Sequence, residues 1–329
     1  MEASTLTHFW RSLRRRVLTP DASATLLEVR GFHIKNPAAQ QLLETVGEMF
    51  LTGYGFAAEA KDVAMAETNL ETIPEQFRGF AYEGAAMGYC VRDGIPFGSN
   101  KNFSRFLSGR AEKHDYMSYI GMGWAMARLP RFRWPTSTGI DPLMVWMVLD
   151  GYGFHQAYFK TDRYVHEQYR AAQFRWPTDG PQWYANHAID QGVGRALWFV
   201  GGTDPEVVAS LIGKFDEERR SDLFAGAGLA ATYAGGADAT ELRMFRDLAG
   251  PYQPQLAQGA AFAAEARLRA GLVVPHTAVA TEVFCGTSPE KAAQITRDTR
   301  PDRVTTGKLP AFEVWRRRVA GEFVSLGRS

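Results

Sequence analysis

The sequence is poor in the residues that make the commonest sites recognisable. Its 329 residues hold 2 cysteines, Cys90 and Cys285, too few for a disulfide framework or a cysteine zinc site, and this scarcity points to a reducing compartment. Neither sign of charge is in excess: 37 Lys and Arg stand against 36 Asp and Glu, so no global field draws nucleic acid. Membrane-spanning stretches of roughly 18 or more apolar residues are missing. The nearest, Met144 to Leu149, stops at Asp150. Met1 to Trp10 lacks the apolar core of a signal peptide, because arginines follow at once, and the expectation is a cytoplasmic protein. No G-x-S-x-G elbow, G-x-x-x-x-G-K phosphate loop, HExxH or CxxC occurs, nor any aspartate-rich diphosphate motif. His166-Glu167 is followed by Arg170 where a second metal histidine would stand, so no metal site is expected.

What is present is ordinary for a globular chain: 45% hydrophobic and 22% charged residues. Helical periodicity dominates from Pro37 onward, where Leu42, Leu43, Val46, Met49 and Phe50 trace one face. Helices are expected over 6–17, 103–129, from Asp141-Pro142 towards Phe159, and over 182–201, 205–219, 220–234, 239–249, 254–271, 277–284 and 288–297. Residues 24–32 read as a strand or extended arm, and Asp93 to Asn100 as a loop. Alternating β-branched runs are few, so the fold class is mainly α.

One stretch, Arg78 to Tyr89 (RGFAYEGAAMGY), is echoed at Phe224 to Tyr233 (FAGAGLAATY). A shift of 144 superposes Phe80 on Phe224, Gly84 on Gly228 and Tyr89 on Tyr233, while Glu83 falls on Ala227. Val46-Gly47 matches Val193-Gly194 at 147, and Ala127-Arg128-Leu129 matches Ala266-Arg267-Leu268 at 139. The expectation is an internally duplicated fold about a pseudo-two-fold axis: an arm at 1–37, repeats at 38–165 and 182–305, a linker at 166–181 and a tail helix at 306–329. Helical glycines such as Gly84, Gly88, Gly226 and Gly228 each cost up to about 1 kcal/mol against alanine, and close helix approach is the expected compensation.

Three constellations carry chemistry. His187, Gln191 and Arg195 share a helix face beside Trp198, with Gln40, Glu44 and Glu48 at the matching first-half offset. The two faces are expected to pair as a salt-bridge seam, or to form a polar site where Arg195 fixes an anionic or carbonyl group. In Asp150 to Phe159 (DGYGFHQAYF), His155 shares a face with Tyr152 and Phe159, and its titration range suits a general acid or base. Asp150 lies about 140° away around the helix and does not pair with it simply. Glu83, among Gly, Ala, Met and Tyr, is expected to pair with Arg78 or Arg195 or to keep its proton through desolvation. Cys285 has no visible base beside it, and the basic cluster at Arg11, Arg14, Arg15 and Arg16 reads as a solvated helix end or a contact for an anionic partner.

RGFAYEGAAM, GMGWAMARLP (Gly121 to Pro130), DGYGFHQAYF, QGVGRALWF (Gln191 to Phe199) and QGAAFAAEARLRAG (Gln258 to Gly271) together resemble the UnbL-like proteins of unknown activity encoded beside enediyne polyketide synthases. The resemblance spans residues from about 30 to 300 and implies a role in converting a linear polyene into the enediyne core, with other proteins of that cassette as partners. A non-catalytic carrier of the polyene is the alternative. The expected catalytic residues are Glu83, His155, His187 and Arg195, and the expected substrate-binding residues Tyr82, Tyr152, Trp198, Gln191 and Gln258. Cofactor use stays open, and a homodimer is allowed.

Overall fold

The computed structural model describes residues 3–95, 101–136, 140–176, 181–302 and 309–326, with side chains from Trp10 onward. The expected loop segment 96–100 and parts of the expected linker and tail therefore lie outside the described residues. Among the described residues there is no strand, and the fold is mainly α. No described helix is long and apolar enough to cross a membrane.

The frame is a row of long helices: α1 (Ala3–Leu18), α2 (Pro37–Glu59), α3 (Glu75–Gly94), α4 (Asp115–Arg128), α5 (Val145–Phe159), α6 (Ala185–Val200), α7 (Glu217–Ala234) and α8 (Gln253–Arg269), closed by α9 (Ala311–Leu326). From α2 to α8 each helix packs on the next in chain order. The row curls back on itself. Arg267 on α8 donates to the Gln76 carbonyl of α3 at 3.0 Å, and Arg269 reaches Asp115 of α4 at 3.1 Å.

Local signals start these helices. Asn36 caps α2 with Pro37 at its first position, while Pro74 takes the cap position of α3. α5 begins at Val145, a turn later than Asp141-Pro142 suggests, because the Asp141 carbonyl accepts from the Met144 and Val145 amides in that turn. Asp93 and Gly94, expected in a loop, instead finish α3.

The expected strand at 24–32 is replaced by a 3-10 turn at Ala22–Thr25 and one helical turn at Leu27–Arg30. Asp21 accepts from the Ser23 amide, Glu44 accepts from the Leu27 amide at 3.0 Å, and Gly31 ends the turn at φ 67. Glu44 is thus occupied by its own neighbours, with Gln40 also bonded to it, and the acidic face of α2 does not meet Arg195. The N-terminal arginines also have work within the chain. Arg14 donates to the carbonyls of Ala58 and Ala60 at the end of α2, and Arg15 pairs with Glu59 at 2.9 Å.

Glycine sets the helix spacing. A Cβ at Gly84 would strike the Phe50 carbonyl, and one at Gly53 the Ala81 carbonyl, locking α2 to α3 from both sides. Gly123 and Gly151 do the same between α4 and α5, Gly153 and Gly192 between α5 and α6, Gly194 and Gly226 between α6 and α7, and Gly228 and Gly259 between α7 and α8. Each pair gives up side-chain volume so that two backbones touch. The expected close approach is what compensates these helical glycines.

Adding a methyl to such a site forces backbones apart. Gly192→Ala is expected to cost about 2 kcal/mol or more, because its Cβ would meet the Asp150 carbonyl and the Phe154 amide. Gly213→Ala, where a Cβ meets nothing within 4 Å, is expected to leave stability unchanged or raise it by up to about 1 kcal/mol. Urea denaturation of the two variants checks the contrast.

Candidate functional site

The curling helices leave a cavity of about 420 Å³ between α2, α3, α4 and α5, bordered at its outer end by Pro20 to Thr25. Its wall is apolar and aromatic: Leu43, Val46 and Phe50 from α2, Phe80 and Met87 from α3, Trp124 from α4, and Phe154, Tyr158 and Phe159 from α5. Phe199 of α6 closes one side. This size and lining are those of a small-molecule site. Asp21 and Arg128, both exposed, bring charge to the cavity's border.

Two titratable groups face this apolar space from within. Glu83 is 1% exposed and lies where the small residues of α3 let it approach its neighbours. Its Oε1 has no hydrogen-bond partner. Burial pushes its pKa up to about 8. The nearby Arg195 guanidinium pulls the other way, and Asp150 adds to the rise. The Trp124 indole N–H also favours the ionised form without completing a hydrogen bond. Glu83 is therefore largely protonated at neutral pH, a carboxylic acid able to donate.

His155 borders the same cavity with its ring edge-on to Trp124 at 5.4 Å and against Phe159 at 4.7 Å. Burial drives its pKa down to about 3, helped by the positive charges of Arg128, Lys160 and Arg30. It stands as a neutral imidazole, and its Nδ1 has no partner. A neutral acid and a neutral base thus share one apolar chamber, with Trp124 against both.

Arg195 does not enter the cavity. It donates to Asp150 Oδ1 at 2.7 Å, and Gln191 donates to Asp150 Oδ2 at 2.6 Å. The guanidinium lies 4.9 Å from the Phe154 ring centroid, behind a residue of the cavity wall. Of the two expectations for Glu83, desolvation describes it rather than a formed pair, because Asp150 holds Arg195. Asp150, which does not pair with His155, is thus the partner of Arg195 and Gln191. Its carboxylate crosses to α6 at a point where Gly192 packs against its own carbonyl.

The remaining expected site residues stand elsewhere. His187 Nδ1 lies 2.8 Å from Asp222, which holds Arg316 at 2.7 Å, and Arg316 also donates to Gln258 at 3.1 Å. Together with Tyr184 and Glu313, these groups clasp α9 to the row. The Asp222 hydrogen bond raises the pKa of His187. Tyr82 stacks on His114 and donates to Glu71 at 2.6 Å, away from the cavity. Tyr152 accepts from Gln156 at 2.7 Å among Trp134 and Phe174, and Trp198 donates to the Gly235 carbonyl at 2.9 Å. None of these lines the cavity. Trp124 was missed; its signal was an indole set between Gly123 and Ala125 in a helix of small residues. Among the described residues no group of His, Cys, Asp or Glu is placed to hold a metal ion, and both cysteines are buried and free.

The molecule is a mainly helical protein with a largely apolar cavity among its long helices. The chain belongs to the family of proteins of unknown function designated DUF1702, whose model matches residues 9–323. No curated protein and no solved structure matches it.

The state of Glu83 has a thermodynamic signature. Between its ordinary value of 4.5 and about 8, the folded chain holds a proton that the unfolded chain has released. Stability therefore falls as pH rises across that window. At about 1.4 kcal/mol per pKa unit the effect is on the order of several kcal/mol. Glu83→Gln is expected to abolish this slope, so the variant gains on the wild type from pH 5 to pH 9 in denaturant melts. Parallel curves would contradict the assignment. His155 acts in the acid range with the opposite slope, because the unfolded chain takes up a proton below 6.5 that the folded chain refuses until about 3.

Proposed function

We propose that the cavity takes a long, apolar, conjugated molecule and that Glu83 and His155 move protons on it. The observation that carries this reading is a neutral carboxylic acid and a neutral imidazole on the wall of one chamber whose lining is otherwise mainly hydrocarbon and aromatic rings. Glu83 donates its proton to an electron-rich atom of the ligand, and His155 Nδ1 accepts one from a carbon along the conjugated system. The double bonds move, composition is unchanged and no oxidant is needed. Returning the proton from His155 to Glu83 resets the site. Arg195, held by Asp150, supplies the nearby positive charge that steadies Glu83 while it is ionised. The resemblance to proteins encoded beside enediyne polyketide synthases supplies the candidate ligand, a linear polyene on its way to an enediyne core.

A carrier role is the second reading, and the low basicity of His155 favours it. An imidazole that gains its proton only near pH 3 is a weak base, and the aromatic wall would hold a polyene without turnover.

The internal duplication belongs with this proposal. The order α2, α3, α4 is followed by α6, α7, α8 at shifts near those of the sequence matches, and in both triplets glycines lie against backbone carbonyls of the neighbouring helix. In this view α3 and α7 are equivalent helices, and Glu83 is the acid that only the first copy carries.

Incubating the purified protein with the linear polyene and following its absorption spectrum tests the proposal. The wild type is expected to shift the spectrum, at a rate that declines as pH rises through about 8. Glu83→Gln is expected to slow the change by about 100-fold or more while still binding the polyene. Binding with no spectral or mass change, with the partner proteins of the pathway also present, would leave only the carrier reading.

A further inference from the structure

A second, polar groove adjoins the cavity and shares one wall with it, the Phe159 ring. It measures about 680 Å³, and its charged lining is mainly cationic: Arg30, Lys160 and Arg163, with His33 and His166. One carboxylate, Asp162, lies among them. His33 is engaged by Asp204 at 3.6 Å, whereas Arg30, Lys160 and Arg163 have no carboxylate partner among the described residues.

Local structure holds these cations in place. Arg30 donates to the Tyr158 carbonyl at 2.9 Å and lies 5.2 Å from the Phe159 ring centroid. Its Nε is buried with no partner. Beyond the end of α5 the chain widens into a π-helical turn, Asp162–His166, closed by the Glu167 amide on the Asp162 carbonyl at 2.7 Å. Such turns are rare and recur at functional sites. This one brings Arg163 and His166 to the same groove as Lys160, with Arg163 stacked 3.8 Å from the Tyr169 ring centroid. A groove with this surplus of unpaired cations suits a carboxylate or phosphate.

We infer that the groove binds the anionic head group, a carboxylate or a phosphate ester, of the same ligand whose apolar body fills the cavity. The inference rests on the cavity reading above. It narrows the ligand class from any hydrocarbon to an anionic amphiphile lying across Phe159, with its charged end among Arg30, Lys160 and Arg163. A consequence reaches the chemistry. Arg30 and Lys160 are among the charges that hold His155 unprotonated, so an anion placed on them makes His155 a better base once the ligand is seated.

The test uses the full chain and a fluorescent long-chain conjugated tetraenoic acid, beside its methyl ester. The acid is expected to bind about tenfold more tightly than the ester, which corresponds to about 1.4 kcal/mol. In the Lys160→Ala, Arg163→Ala double variant, which keeps Arg30, that gap is expected to narrow to about threefold or less while ester affinity stays unchanged. Displacement by dodecyl phosphate or by dodecanoate, whichever is stronger, assigns the head group to phosphate or carboxylate. Equal affinity of acid and ester, or a gap undiminished in the double variant, overturns the inference and leaves the cavity reading intact. Binding of neither probe overturns both.

Discussion

Backbone contact at reciprocal glycines is the constraint on which the rest of the structure depends. From α2 to α8 almost every helix meets the next where a glycine on each lies against a backbone carbonyl of the other. Backbones that touch leave no layer of side chains between them, so large residues collect where three or more helices converge. The aromatic wall of the cavity is one such collection, and the clasp around Arg316 is another. The cost of so many helical glycines falls on local helix stability and is offset by tertiary packing, which supplies most helical stability in any case.

The same packing explains the state of Glu83. The small residues around it bring α2 and α4 close enough to exclude water, and the one nearby arginine is committed to Asp150 at 2.7 Å. A carboxylate there lacks both hydration and a formed partner, and taking up a proton relieves both deficits. His155 arrives at the complementary state by the same route, since burial among aromatic rings denies it a proton. Acid and base are thus prepared by one physical cause, removal of water, acting on groups of opposite preference.

How much of this was readable in the sequence depends on the range of the interaction. Close approach at Gly84 and Gly228 follows from steric rules that act locally, and so does the desolvation of an acid placed among Gly and Ala. The aromatic setting of His155 is visible in a helix of i, i+4 neighbours. The pairing of Arg195 with Asp150 was not readable, because nothing in a single helix face says which of several acids will stand opposite. The face of Gln40, Glu44 and Glu48 was expected to meet that of Arg195, and Glu44 instead holds the Leu27 turn. That Tyr82, Tyr152 and Trp198 stand away from the cavity was not readable for a related reason. Helices such as α3 are buried on every side from Gly79 to Val91, so periodicity cannot distinguish the side facing a cavity from the side facing another helix.

Infrared difference spectroscopy, wild type minus Glu83→Gln, tests the central claim most directly, because a protonated carboxyl has its own carbonyl band. The account predicts that the band is present at neutral pH and disappears with a midpoint near the pKa of about 8. It also predicts that filling the cavity with an apolar ligand moves the band without abolishing it. A Glu83 already ionised at neutral pH, with a midpoint near the ordinary 4.5, would contradict it.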